Sequence, residues 1–408
     1  MNKFRVKNIG RIARDKILHF TFNGKKYVGF QGDTLASALL ANGIHLIARS
    51  IKYHRPRGFI GSGVEDPNGL VKIGSGSKAL PNHFATQIEL YEGLEAESVN
   101  CWPSVNFDFG ALQGKLSRFM VPGFYYKTFM WPSWLWPIYE KLLRNRAGYG
   151  VVPSYPDSDR YEKRNIHCEY LIIGGGPSGI SAALAAGRSG LRVILVDEQN
   201  ELGGTLLNDR VQIDSKYAHT WLNESINELN KMPEVKILSR STAFGNYEHQ
   251  YIGVLERIPE HHLKNSINLP RERIWKIRAA KTFIATGAIE RSLVFVGNDV
   301  PGVMLSSAVE SFIFRYGVSL GENVAFVTNN DSIYNLCEDL NKLGINVPAI
   351  IDFRSNINEA LIEKVTKIGI DVYPGWQIEK VIGNKRINQI EISEPKGTFN
   401  YSIERVEA

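Results

Sequence analysis

The chain has 408 residues, 43% of them hydrophobic and 22% charged. That is enough for two or three domains with real cores, and the balance is ordinary for a soluble globular protein. The net charge is +6, yet Met1 to Ile60 alone holds twelve Lys and Arg against Asp15 and Asp33, a local +10. Such a face fits an anionic phosphate or an acidic partner chain, while nucleic acid is unsupported because no recognised motif accompanies the charge.

Targeting and metal signals are absent from the sequence pattern. The N-terminus MNKFRVKNIGRIARDK is basic but lacks an apolar core, so it does not read as a secretory signal. The most apolar-looking stretch, Phe124 to Leu143, is interrupted by Lys127, Pro132, Pro137, Glu140 and Lys141, too short and broken to span a bilayer. No membrane association is expected. Cys101, Cys168 and Cys337 stand singly with no CxxC. This disfavours disulfide scaffolds, zinc ribbons and dithiol redox chemistry, and no metal site is expected. A cytoplasmic location is the default.

Leu18 to Phe30 alternates and turns at Asn23-Gly24, a strong hairpin signal. GDTLASALLANG follows. Asp33 is the expected N-cap, Leu35, Leu39 and Leu40 form an apolar stripe, and Gly43 is the stop. Hairpin then helix is how a β-grasp domain begins. Residues 75–160 are rich in aromatics and proline, and Gly148 to Lys163 reads as a linker.

A new domain opens at CEYLIIGGGPSGISAALAAGRSGLRVILVDEQ, Cys168 to Gln199. The pattern predicts a strand over Tyr170–Ile173, a helix through Arg188 and a second strand over Val193–Val196. Gly174-x-Gly176-x-x-Gly179 sits between strand and helix, with Pro177 and Ser178 at the helix start. Gly174 allows the tight turn, Gly176 lets a pyrophosphate approach, and Gly179 lets helix and sheet pack closely. The helix N-terminus offers unpaired N–H groups and a positive dipole. Asp197 is placed to accept from the adenosine ribose hydroxyls, with Glu198 the fallback; an acid there disfavours NADP. Gly203-Gly204-Thr205 and the strand end Ala285-Thr286-Gly287 complete the expected cofactor set.

Gly321 to Arg354 repeats strand, turn, helix and strand. Its turn, Thr328-Asn329-Asn330-Asp331-Ser332, has no glycine, and Asp331 would repel a pyrophosphate. This segment reads as a nucleotide fold kept as architecture. No acid/base dyad or nucleophile triad stands out, so catalytic residues are not assigned.

The stretches GDTLASALLANG, RSIKYHRPRG, GFYYKTFMWP, CEYLIIGGGPSGISAALAAGRSG, ATGAIERSLVFVGNDVPGVM and NNDSIYNLCEDL resemble the alpha subunits of heterotetrameric sarcosine oxidases. The resemblance implies an α/β chain with a cluster-less β-grasp, 2Fe-2S ferredoxin-like domain ahead of a Rossmann-like FAD/NAD(P)-binding domain of two dinucleotide folds. The implied division is 1–100 for the β-grasp domain, 101–165 for the aromatic-rich connecting segment and linker, and 166–408 for the nucleotide domain. Its second fold lies at about 320–395 and is degenerate. The implied cofactors are NAD, or alternatively FAD, on this chain, FMN at the interface with the beta subunit, and FAD in the beta subunit. No iron–sulfur cluster is expected, since Phe59 to Gly63 carries no cysteine.

The implied partners are beta, gamma and delta subunits, with a small amine substrate reaching the beta subunit. The implied activity is oxidation of a CH–NH donor. Sarcosine would give glycine, hydrogen peroxide and formaldehyde or methylenetetrahydrofolate, and the isolated chain would be inactive. An opine, dimethylglycine or D-proline oxidase or dehydrogenase subunit and a non-catalytic, nucleotide-stabilised scaffold are the alternatives. Family members carry a returning segment and a folate-binding domain beyond the second fold. A chain that stops at GTFNYSIERVEA is therefore expected to be a fragment or a separately encoded half. The basic stretch Arg49 to Arg57 holds Lys52, Arg55 and Arg57, expected to contact the FMN phosphate or an acidic beta-subunit surface.

Overall fold

The computed structural model describes the chain apart from residues 1–2, 116–130, 147, 149, 151–152, 154, 209, 264–268, 395–399 and 405. The first part of the aromatic run Phe124 to Tyr139, residues 124–130, thus lies outside the described residues. The chain forms two compact units, one of residues 1–156 with 290–408 and one of residues 157–289. The sequence reading carries a single nucleotide domain from 166 to 408. In the contact pattern, 290–408 groups with the N-terminal segment.

The first unit opens on a five-stranded sheet ordered β2-β1-β7-β5-β6. Its strands are β1 (Ala13–Phe22), β2 (Lys25–Gln31), β5 (Leu70–Ile73), β6 (Leu80–Phe84) and β7 (Leu94–Ser98); β3 (Ala48–Arg49) and β4 (Pro56–Arg57) form a separate two-stranded pair. The β1–β2 hairpin turns at Asn23 and Gly24, both at positive φ. β7 runs parallel to β1, which gives the β-grasp its crossover.

Helix α1 (Leu35–Ala41) crosses that sheet, and all seven of its residues are buried. The expected stripe is therefore a helix covered all round. Its N-cap is Thr34, not Asp33: Thr34 accepts from the Ser37 N–H while Ser37 Oγ accepts from the Thr34 N–H, a reciprocal capping pair. Asp33 is drawn elsewhere. Its carboxylate accepts from the Phe30 N–H and the Ser37 hydroxyl and pairs with buried Arg5. Gly43, at φ +78°, sits just past the C-cap Asn42, as expected. The short helices α2 (Ala111–Lys115) and α3 (Trp136–Arg146) follow.

The second unit is a six-stranded sheet ordered β12-β9-β8-β15-β14-β13. Its strands are β8 (Tyr161–Ile173), β9 (Val193–Val196), β12 (Val235–Leu238), β13 (Ser241–Tyr247), β14 (Tyr251–Arg257) and β15 (Glu272–Ile284), with β10 (Gln212–Ile213) and β11 (Lys216–Tyr217) as a small hairpin. β12, β9, β8 and β15 are parallel; β14 and β13 add antiparallel. β8 starts nine residues before the expected Tyr170, because Tyr161 onward pairs with β15 from Glu272. Helices α4 (Pro177–Arg188) and α5 (Ala218–Lys231) bury Ile180, Leu184, Leu222 and Leu229 with sheet residues Ile172 and Leu195.

Returning to the first unit, Glu290 accepts from the Ser306 and Ser307 N–H groups at the start of α6 (Ser306–Phe314). A parallel sheet β16-β17-β18 follows (Phe326–Thr328, Ala349–Asp352, Asp371–Pro374), connected by α7 (Ser332–Lys342) and α8 (Glu359–Thr366). An antiparallel sheet of β19 (Gln377–Gly383), β20 (Ile387–Ser393) and β21 (Asn400–Glu404) closes it. One core joins the N-terminal and C-terminal segments: Phe59 packs on Phe312 at 6.4 Å between ring centroids, and Phe20, Leu39, Phe326 and Tyr334 belong to the same buried cluster.

Candidate functional site

β8 ends at Ile173 and the chain turns at Gly174, whose φ of +109° suits glycine. A Cβ on Gly174 would lie 2.3 Å from the Ala285 carbonyl oxygen, and one on Gly179 would lie 1.8 Å from the Gly174 oxygen. These two glycines let the turn, α4 and the segment after β15 close on one another. Gly176 differs: a Cβ there meets nothing within 4 Å. It is the N-cap of α4 with no side-chain cap, and Pro177 follows without an N–H. Ile180 donates to the Gly176 carbonyl at 2.9 Å, which starts the helical ladder. First-turn N–H groups have no intrahelical acceptor, so those of Ser178 and Gly179 lie at the positive end of the helix dipole.

The GGT segment joins the same place. Gly203 N–H donates to the Gly175 carbonyl at 2.8 Å, and a Cβ on Gly204 would lie 3.2 Å from the Gly176 Cα. Thr205 is exposed beside it. Ala285 N–H donates to the Ile173 carbonyl at 2.7 Å, which sets exposed Thr286 and Gly287 just past the end of β15. The structure thus gathers the glycine turn, the GGT segment and the ATG segment at the carboxyl ends of parallel strands, where such sheets take nucleotides.

Asp197 plays a part the spacing does not reveal. Its Oδ2 accepts from the Gly175 N–H at 2.6 Å and its Oδ1 from the Gln199 N–H at 2.8 Å. The carboxylate braces the glycine turn from below. Glu198, half-buried, is the next acid at the strand end.

In the other unit, Arg57 and Arg55 converge on Asp299 of the same chain, at 2.8 and 3.5 Å. Lys52 and Arg55 also lie over the Tyr53 ring, at 5.0 and 5.5 Å. At the ends of β16 and β17, Arg354 spans Asp352 and Asp331, each at 2.8 Å. The Tyr334 hydroxyl donates to Asp352 at 3.0 Å, and burial beside that carboxylate holds the phenol well above its usual range. This ion cluster sits beside the turn Thr328 to Ser332, which lacks glycine.

The loop from Phe59 to Leu70 is organised by two acids that the sequence reading passed over. Asp66, fully buried, accepts from the N–H groups of Ile60, Asn68 and Gly69 at 2.9–3.3 Å. Glu65 accepts from those of Ser62 and Gly63 at 2.6 and 2.9 Å. Burial pushes the Asp66 carboxyl up to about 6 against the pull of these amides. The available signal was an adjacent Glu-Asp pair in a glycine-rich loop, the arrangement in which backbone N–H groups form anion-binding concavities.

Two family models match the chain. Residues 15–101 match a 2Fe-2S iron-sulfur cluster binding domain, and residues 169–251 match an FAD dependent oxidoreductase. The first match corrects the expectation that no iron–sulfur cluster goes with this chain. That expectation rested on missing cysteines in one loop, whereas the five-stranded sheet and α1 carry the relationship to cluster-binding domains. The donor chemistry is a separate matter. Cys101 is the one cysteine in the matched stretch. Among the described residues no group of three or more His, Cys, Asp or Glu side chains could hold a metal ion. The residues present do not fit the thiolates such a cluster uses.

Together the matches define a class, a ferredoxin-like domain joined to an oxidoreductase-type nucleotide domain. Within it, the chain is similar to sarcosine oxidase subunit alpha. It is 50% identical to that of Rhizobium meliloti (strain 1021) over 99% of this chain and 40% of the relative. It is 36% identical to that of Corynebacterium sp. (strain U-96) over 90% of this chain and 33% of the relative. The chain therefore spans two fifths or less of the length of these relatives. In fold it is similar to L-proline dehydrogenase from P. horikoshii, with a TM-score of 0.62 and 20% identity, covering 100% of this chain and 61% of that one. No helix among the described residues is long and apolar enough to cross a membrane.

Proposed function

We propose that this chain is the nucleotide-binding part of the alpha subunit of a multi-subunit oxidase that acts on sarcosine. The observation that carries the reading is a 50% identity to sarcosine oxidase subunit alpha over 99% of the chain. In this reading the second unit is a Rossmann-type fold holding an adenine dinucleotide. Residues 320–395 are a second nucleotide fold retained as architecture. The functional division remains 1–100, 101–165 and 166–408.

Each site residue then has a task. Gly176 leaves room for the pyrophosphate, and the N–H groups of Ser178 and Gly179 stabilise its charge at the start of α4. Pro177 presets the first helical residue. Asp197 holds the turn through Gly175 and Gln199, so Glu198 takes the ribose hydroxyls. Gly204, Thr205, Thr286 and Gly287 form the flanks. When bound, a flavin dinucleotide of the kind named by the matching family supplies a two-electron acceptor. The residues described here bind and orient such a group. The amine site belongs to a partner subunit, so the isolated chain does not turn over sarcosine.

The test is to purify the assembled oxidase, release its nucleotides and identify by mass the one that stays with this chain. Turnover of sarcosine is then compared with that of dimethylglycine, an opine and proline. Stoichiometric dinucleotide and a preference for sarcosine support the reading. Absence of any dinucleotide, or turnover of an opine in place of sarcosine, overturns it.

A further inference from the structure

The first unit holds a cavity that no step above uses. Its volume is about 100 Å³, and apart from Ile60 all of its lining comes from the 290–408 segment. Phe326 and Val327 of β16, Ile378 of β19, Ile390 of β20, and Phe295 and Met304 ahead of α6 form its walls. All six are apolar and lie buried or half-buried. Protein interiors are close-packed, so a void of this size forfeits contacts along its walls. Only an apolar body restores them; an apolar cavity of roughly 150 Å³ stays dry and takes benzene.

The walls are preformed. Leu305 N–H donates to the Ile60 carbonyl at 2.8 Å, and Asn298 Nδ2 donates to the Leu293 carbonyl at 3.0 Å. A Cβ on Gly302 would lie 2.4 Å from Cγ2 of Ile387, so the segment before α6 sits tightly on β20. A ligand entering walls fixed in this way orders little that was loose.

The exposed lining residues are Glu290, Arg291 and Ser292, which mark the open side. Glu290 is already committed. Its carboxylate accepts from the Ser306 and Ser307 N–H groups and from the Ser306 hydroxyl, at 2.8–3.2 Å. The start of α6 is thus filled by the chain's own anion. Arg291 differs: among the described residues nothing pairs with its guanidinium, and nothing bonds the Ser292 hydroxyl beside it. An unpaired cation and a hydroxyl at the rim of an apolar cavity suit one negative charge on an apolar stem. The planar guanidinium matches a carboxylate through two parallel hydrogen bonds.

We propose that this cavity is a binding site for a short-chain aliphatic monocarboxylate, with the hydrocarbon in the cavity and the carboxylate on Arg291 and Ser292. Scaled from the benzene case, the space takes a body of about four carbons, and so an acid of about five. The site shares no residue with the dinucleotide turn, and goes beyond the reading given above.

The test titrates the purified full chain, by calorimetry, with acetate, pentanoate, octanoate and the neutral 1-pentanol. Pentanoate is expected to bind in the millimolar range or tighter, and more tightly than the other three. Arg291→Gln changes an exposed side chain and is expected to weaken pentanoate at least about tenfold while leaving 1-pentanol unchanged. Ala325→Leu extends a wall into the cavity and is expected to abolish binding of both, its melting temperature reporting whether it folds. Should Ala325→Leu fail to fold, Arg291→Gln still decides. A wild-type chain that binds none of the acids overturns the proposal. So does equal binding of pentanoate and 1-pentanol, or full pentanoate binding by Arg291→Gln, either of which leaves a merely apolar void. Pentanoate binding that survives in folded Ala325→Leu places the acid elsewhere and overturns it too. None of these outcomes bears on the dinucleotide, whose retention is measured separately.

Discussion

Oδ2 of Asp197 accepts a hydrogen bond from the Gly175 N–H at 2.6 Å, across the turn that separates β8 from α4. The acid at the end of the second strand is therefore spent on the shape of the glycine turn. Asp197→Ala is expected to cost about 1–3 kcal/mol of stability, because it leaves the Gly175 and Gln199 amides without their acceptor. Nucleotide should be lost with it. Glu198→Gln should lower nucleotide retention and leave the melting temperature unchanged. Thermal melts and nucleotide absorbance after gel filtration separate the two; equal effects would refute the division of roles.

The glycines of the turn should differ sharply on substitution. Gly176→Val projects into open space, so the protein is expected to fold and to emerge free of dinucleotide. Gly179→Ala drives a methyl group into the Gly174 carbonyl and is expected to cost about 2–3 kcal/mol. Circular dichroism reads the fold, and mass analysis of the released nucleotide reads the site. A Gly176→Val protein with full nucleotide content would sink the assignment.

Asp66 predicts a pH dependence of known sign. Burial raises its folded-state value to about 6, above that of the unfolded chain, so the folded protein holds this proton more tightly. The contribution is fully present below about pH 4 and is lost as pH rises through about 6. Relative to Asp66→Asn, the wild type should gain up to about 3 kcal/mol between pH 7 and pH 4. Denaturant titrations of both proteins across that range check it, and parallel profiles would contradict it.

Arg57 and Asp299 should couple. Both side chains are about three-quarters buried and lie 2.8 Å apart. A double-mutant cycle with Arg57→Ala and Asp299→Ala is expected to show a coupling of about 1 kcal/mol. Zero coupling would contradict a contribution of this pair to the fold.

The glycine turn was the most legible part of the sequence, because three glycines at fixed offsets between strand and helix leave few geometries. The helix from Pro177 to Arg188 and the strand from Val193 to Val196 match their expected bounds. What spacing could not convey was the direction of a side chain. Asp33 sits one residue before the cap and turns to Arg5, and Asp197 accepts from the N–H groups of Gly175 and Gln199. Long-range grouping was equally hidden. Nothing in the local pattern says that Phe312, Phe326 and Tyr334 share a core with Phe20 and Leu39. The β-grasp loop misled for a related reason: missing cysteines describe the donors, whereas family membership is written in the strands around them.

Helix α1 has one further consequence, for the way this sequence can change. A surface helix drifts freely on its wet side, because polar residues there replace one another at little cost. Leu35 to Ala41 has no wet side. Any substitution there alters a volume inside the β-grasp core, and Ala36, Ser37, Ala38 and Ala41 leave no room for growth. Change at these seven positions is therefore confined to exchanges that conserve volume, and it must be matched by repacking of the sheet beneath them.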